Sequence, residues 1–366
     1  MMMPAGSRPI PAGTAPSRAC RPDVEIDTGE ATRFVRAAHA LVRDLLEPAP
    51  ARYWGDFLVT IATAYAAFAV YLSGRSAALQ ATAVVVGALA AYRAVVFTHE
   101  IAHRPGGSFT MFAVVWNVLC GIPFWMPSFL YGDHKSHHGG PAYGTRADPE
   151  YLRLTPRPRV RMLLFLSLGL VYPILGPLRF LLLTPPALLA RPLDRLVWTH
   201  ASSLYNMNET YRRPHDEQAR AVSRWLQEIA ASAWAWAVVC LVVTDRISWT
   251  VLGKAYGVFV LWMVVNQVRT LAAHRYVNHT GAPISHLDQV RDTNTFGRGR
   301  WLPHLWAPLG MRYHALHHLL PAIPYHAMGA AHRRLMERLP AGSPYRATVR
   351  RSLWDAVASI WRESRP

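Results

Sequence analysis

Apolar residues in this chain gather into long runs separated by short polar stretches, a pattern matched to the thickness of a bilayer. Residues 57–73 and 77–98 form two such runs, joined by Gly74-Arg75-Ser76. Residues 229–244 and 249–268 form two more, joined by Asp245-Arg246-Ile247-Ser248. Each approaches the ~20 residues a helix needs to cross the hydrocarbon core, so the pattern predicts two hairpins of membrane spans. Two further apolar segments are interrupted by proline: 109–130 by Pro123 and Pro127, and 162–189 by Pro173, Pro177, Pro185 and Pro186. A full crossing by either would place histidine-rich stretches on opposite faces of the membrane. Both are therefore expected to lie in the interface or to enter and return.

Ahead of the spans, Phe34, Ala38, Leu41, Val42 and Leu45 recur at helical spacing with Arg33, Arg36 and Arg43 between them. This reads as an amphipathic helix on a membrane surface, or as an ordinary packed helix. No span follows residue 268, so the remainder is expected to form a helical cap. The fold class is thus all-α and integral to a membrane, with about four transmembrane helices. The expected organisation is a disordered tail over 1–24, an interfacial helix over 25–50, a membrane domain over 51–340 and a C-terminal helical tail over 341–366. The tail is rich in Pro, Ala, Gly and Arg without a continuous apolar core, unlike a cleaved signal peptide.

Composition agrees: 51% of residues are hydrophobic, 13 are Trp, and 17% are charged. A net charge of +17 suits nucleic acid, anionic lipid or an acidic partner, and the spans favour the lipid surface over nucleic acid. Arg153, Arg157, Arg159, Arg161, Arg212, Arg213, Arg220 and Arg224 fall on the histidine-bearing side. By the positive-inside rule that side, with both termini, is expected in the cytoplasm, here at a bacterial inner membrane. Cys20, Cys120 and Cys240 are far apart and form no thiolate metal site. Trp116, Trp125, Trp234 and Trp236 are expected as core and interfacial anchors, with a substrate-channel lining as a sharper use.

Histidine supplies the chemistry. His314, His317 and His318 repeat the HxxHH spacing of His134, His137 and His138, and His99 and His103 form a third cluster. At this histidine frequency an HxxHH match arises by chance at roughly one position in ten thousand. Residues three and four apart share a helix face, so each cluster can aim imidazoles at one place. Imidazole points to a transition metal, and eight donors suggest two ions. A ninth donor is best sought in His274, at the end of the fourth span, then in His279. Asp148 and Glu150 are placed to orient ligand histidines, although Asp148-Pro149 also suits a plain turn. His286, His304, His326 and His332 lack ligand spacing and are expected at the surface or behind the ligands.

Two rival uses remain. His99-Glu100-Ile-Ala-His103 satisfies HExxH, the pattern of a zinc intramembrane metalloprotease, but leaves both HxxHH clusters without a role. A histidine-rich metal transporter would hold its ligands near the membrane midplane rather than at helix exits.

In order and separation, HEIAH at 99–103, HKSHH at 134–138 and HALHH at 314–318 resemble the three histidine boxes of the integral-membrane fatty acid desaturase and hydroxylase superfamily. The resemblance implies a non-haem centre of two iron ions, with O2 as co-substrate, acting on a carbon–hydrogen bond of an acyl chain. It implies the eight box histidines as ligands and matches His274 to the family's extra histidine after the last span. Stearoyl-CoA-type members carry asparagine four residues before that histidine, where this chain has Thr270.

Desaturation is the first expectation, with hydroxylation or terminal-alkene-forming decarboxylation as alternatives. The substrate would be a fatty acid, an acyl thioester or an acyl lipid. Because the sequence has no Rossmann fingerprint, no CxxCH and no iron–sulfur cysteine set, the electrons must come from an external carrier, ferredoxin-like or cytochrome-b5-like.

Overall fold

The computed structural model describes residues 28–363 except 75, 105, 139, 155–157 and 203–205. The expected N-terminal tail, 1–24, lies outside the described residues. Among the described residues the chain is helical, with two isolated β-bridges, His274 to Thr293 and Thr295 to Val349.

Helix α1 (Thr28–Val42) precedes α2 (Pro50–Leu72), which begins with proline where the missing N–H costs nothing. Helix α3 (Ala77–His103) is started by Ser76, whose hydroxyl accepts from the Leu79 N–H at 3.4 Å. The two helices pair closely at Gly87, where an added Cβ would lie 3.4 Å from that of Ala67. Among the described residues, five helical runs are long and apolar enough to cross a membrane: α2, α3, the run Pro158–Leu189 that begins with α5 (Pro158–Leu178), α6 (Val222–Val243) and α7 (Trp249–Ala273). Of the apolar window in α3, 56% is buried, against 22% in each of the others. Helix α3 is therefore the axis, and the rest offer most of their surface to lipid, as exposed Val59, Val85, Leu164 and Val243 do.

Between α3 and α5 the chain dips and comes back. Helix α4 (Phe109–Trp116) starts against Tyr53, passes into a wider π-type turn at Asn117–Gly121 and reaches Tyr65, whose hydroxyl donates to the Leu119 carbonyl at 2.8 Å. Asn117 then accepts from the Ser128 N–H at 2.8 Å and clips the returning chain. The chain thus runs along α2 and turns back, the course that a re-entrant segment takes.

In the segment 162–189 the prolines kink a helix without ending it. One helical run extends over Pro158–Leu189, with Pro173 and Pro177 inside α5 (Pro158–Leu178) and a π-type turn at Arg179–Leu183. Its start packs on the histidine-side half of α7, through Met162 and Phe165 with Leu271. Past the kink, Arg179 and Thr184 bond Glu228, less than two turns from the start of α6.

Arg179, Arg224 and Glu228 are buried, and Asp194 completes an ion-pair network through Arg224 at 2.7 Å. Arg213 is also buried and pairs with Asp133 at 2.6 Å. Two arginines that sequence reasoning assigned to a basic surface are thus neutralised inside the fold.

Beyond α7 lies the cap, with α8 (His314–Leu319), α9 (Met328–Arg338) and α10 (Leu353–Glu363). Ala38 and Val42 of α1 are buried in one cluster with Leu335 and Leu339, so the apolar face of α1 packs on this cap. Helix α10 packs Ala356 against Ala272 and Phe296, beside the end of α7.

Candidate metal centre

The fold delivers nine histidines to the junction of spans and cap. They form two groups in which the candidate donor atoms lie within 4.8 Å of one another. His99, His103, His134, His138 and His317 make the first group; His137, His274, His314 and His318 make the second. His279 is exposed and stands in neither.

The spacing works differently from one cluster, one target. In each HxxHH the residues at i and i+4 serve one group, and the middle histidine serves the other. His134 and His138 go to the first while His137 goes to the second; His314 and His318 go to the second while His317 goes to the first. The segments are not alike, since 134–137 ends a 3-10 stretch (Ser128–His137) whereas 314–318 lies in α8. His99 and His103, one turn apart at the end of α3, complete the first group. His274, just past α7, completes the second. The groups abut, with the rings of His138 and His318 4.3 Å apart.

Imidazole nitrogens face each other without protein donors or acceptors between them. Nε2–Nε2 separations are 2.9 Å for His134–His138, 3.2 Å for His138–His317, 3.2 Å for His137–His274, 2.9 Å for His274–His314 and 3.2 Å for His314–His318. The buried Nε2 atoms of His99 and His103 have no hydrogen-bond partner. Converging lone pairs in a buried site call for a cation. Burial holds His134, His138, His274, His314, His317 and His318 well below the ordinary histidine pKa, which leaves them neutral, the form that binds metal. The residues present fit two transition-metal ions.

Carboxylates and a phenol hold the far ring nitrogens. Glu150 meets His134 Nδ1 at 2.6 Å, and Asp148 meets His137 Nδ1 at 2.9 Å. Burial raises the Glu150 carboxyl to about 7. At His137, burial opposes the charged form, but Asp148 beside it raises the pKa overall. Tyr143 and Asp292 were not foreseen: the Tyr143 hydroxyl lies 2.9 Å from His274 Nδ1 and donates to Asp292 at 2.9 Å. Proximity to the second box was the one sequence signal for Tyr143, and Asp292 had none. The remaining histidines scatter. His286 Nε2 meets the His318 carbonyl at 2.9 Å, His326 accepts from the Ala49 N–H, His304 is exposed, and His332 is buried against Tyr345.

Glu100, the would-be general base of HExxH, is turned behind its histidine. It accepts from the Tyr53 hydroxyl, lies 3.6 Å from Arg104 Nε and stands 3.8 Å from His99 Nδ1. A protease would need this carboxylate in front of the metal. The histidines also sit at helix ends and in the cap, unlike the midplane ligands of a transporter.

A cavity opens from this centre between α3, α5 and α7. His99, Glu150 and Thr270 line one end, while Phe124, Tyr172 and Phe259 line the other. Phe259 and Thr270 lie about 16 Å apart along the helix axis, a length on the scale of an extended hydrocarbon chain. Trp125 and Trp262 line it, whereas Trp116 is buried and Trp234 and Trp236 are partly exposed.

Comparison with known proteins agrees with this geometry. The family model for fatty acid desaturases matches residues 75–349. A ceramide hydroxylase of Caulobacter vibrioides is 35% identical over 334 residues, covering 91% of this chain and 94% of its own length. No solved structure matches.

Proposed function

The chain belongs to the fatty acid desaturase family, and on that premise we propose that it is an O2-dependent lipid hydroxylase with two irons held by the nine histidines. Its coarser character, a membrane oxidoreductase of the desaturase and hydroxylase type, follows from the family and the relative. The carrying observation is the pair of abutting histidine groups at the mouth of an apolar cavity. Bound iron would supply the activation of dioxygen and the removal of hydrogen from an unactivated carbon.

The chain's own residues do the rest. The histidines fix two neighbouring sites; Asp148, Glu150 and Tyr143 fix ring orientation and tautomer; and the cavity excludes water and aligns a chain with the centre. Hydroxylation is preferred to the desaturation first expected because the relative carries that activity. Electrons come from an external ferredoxin- or cytochrome-b5-like carrier.

On this reading α2, α3, α6 and α7 cross and the helix Pro158–Leu189 returns to the histidine side, so the centre and both termini share one face; the arginines of that face support the cytoplasmic side of a bacterial inner membrane. Mass spectrometry of lipids from expressing cells tests the reading. Wild type should yield lipid with one added oxygen and His317→Ala none. Lipid that loses two hydrogens instead would make the protein a desaturase, and identical lipids in both cells would reject the oxidation.

A further inference from the structure

The cavity is not uniformly apolar. Its lining includes Asn206, Asn266 and Arg269, all toward the end that also holds His99, Glu150 and Thr270. Arg269 makes no ion pair among the described residues. Its Nη2 donates to Asn266 Oδ1 at 2.8 Å, it lies against Tyr92, and its Nε is buried without a hydrogen-bond partner. The Nδ2 of Asn206, a residue only 9% exposed, is likewise buried and unpartnered. The segment that carries Asn206 is tied beside the metal-side carboxylates, because Asn208 donates to the carbonyls of Pro149 at 3.1 Å and Asp148 at 2.7 Å.

Both groups are donors on side chains that line the cavity, as is the indole Nε1 of Trp262, which is also buried without a partner. With Glu150 in electrostatic reach but no carboxylate in direct contact, a guanidinium at the end of a membrane-embedded helix keeps hydrogen-bonding capacity to spare. A pure hydrocarbon would leave both donors unsatisfied.

We propose that Asn206 and Arg269, the latter braced by Asn266, receive an acceptor oxygen of carbonyl type on the substrate. The substrate is then a long-chain amide or carboxyl lipid, bound with its polar group beside the metals and its tail toward Phe259. The oxidised carbon lies within a few bonds of that group rather than deep in the chain. This rests on the reading of the site as a lipid oxidase and adds to it which end of the lipid is recognised.

Trp125 and Trp262 line the same cavity, so bromine on a bound chain should quench tryptophan fluorescence. The experiment titrates purified, metal-loaded protein with three ligands brominated at one chain position: a fatty acyl amide, a free fatty acid and an alkane. Arg269→Gln and Asn206→Leu should each weaken an oxygen-bearing ligand by about tenfold while leaving the alkane within about twofold. Loss with the amide in both variants identifies an amide carbonyl. Loss confined to the acid in Arg269→Gln identifies a carboxylate.

Equal weakening of all three ligands in both variants, or no change in any, overturns the proposal. Having two variants guards against one that fails to fold, and unfolding midpoints report that directly. Binding is read without turnover, so absence of oxidised product would count against the proposed reaction and leave this comparison standing.

Discussion

At the scale of single residues, the groups that touch ring nitrogens from behind matter nearly as much as the ligands. Asp148 meets His137 Nδ1 from a buried position, so Asp148→Ala should lower iron affinity by about 10–100-fold, read by competition with a chelator. Glu100 answers Tyr53 and Arg104 instead of facing the metals. Glu100→Gln should therefore keep its iron and part of its activity; complete loss of activity with metal retained would restore the protease-like role for this carboxylate. The box histidines were legible in the sequence because their spacing is improbable by chance. Tyr143 and Asp292 were not, because a Tyr–Asp pair separated by 149 residues leaves no local signature.

Among the elements, the re-entrant turn and the kinked helix shape the cavity, and each has a residue that can be tested. A Cβ on Gly121 would meet Trp116 Cζ3 at 2.6 Å, Asn117 Oδ1 at 2.8 Å and the Pro127 backbone at 3.2 Å. Gly121→Ala should destabilise the protein by about 1–3 kcal/mol, read as a lowered unfolding midpoint in detergent. Glu228 holds Arg179 and Arg224 in a buried network, and Glu228→Gln removes the charge that compensates them. That change should cost about 3–5 kcal/mol, and a neutral outcome would mean that water reaches the arginines. Hydropathy located the helices of both hairpins, since bilayer thickness acts directly on sequence. It missed the continuity of Pro158–Leu189, because proline within a membrane helix can kink it while neighbours such as α7 hold it together.

For the whole molecule, the chain brings a basic, metal-ready face together with a cavity that runs into the membrane layer. If the proposed electron carrier is acidic, a net charge of +17 would favour its docking, without a contribution from Arg213 and Arg224, which are paired internally. Donor-dependent turnover should fall as salt rises, and salt-insensitive turnover would remove the electrostatic part of that docking. The convergence of distant histidines was anticipated as a set, but not their division: spacing alone cannot say that the middle histidine of each HxxHH crosses to the other group. That division is also the most direct point of attack, because on the proposed reading each group holds its own ion. Iron quantified per chain in purified protein should be about two for wild type and about one for His274→Ala, a change confined to the second group. One zinc per chain, or no transition metal at all, would contradict the two-iron account.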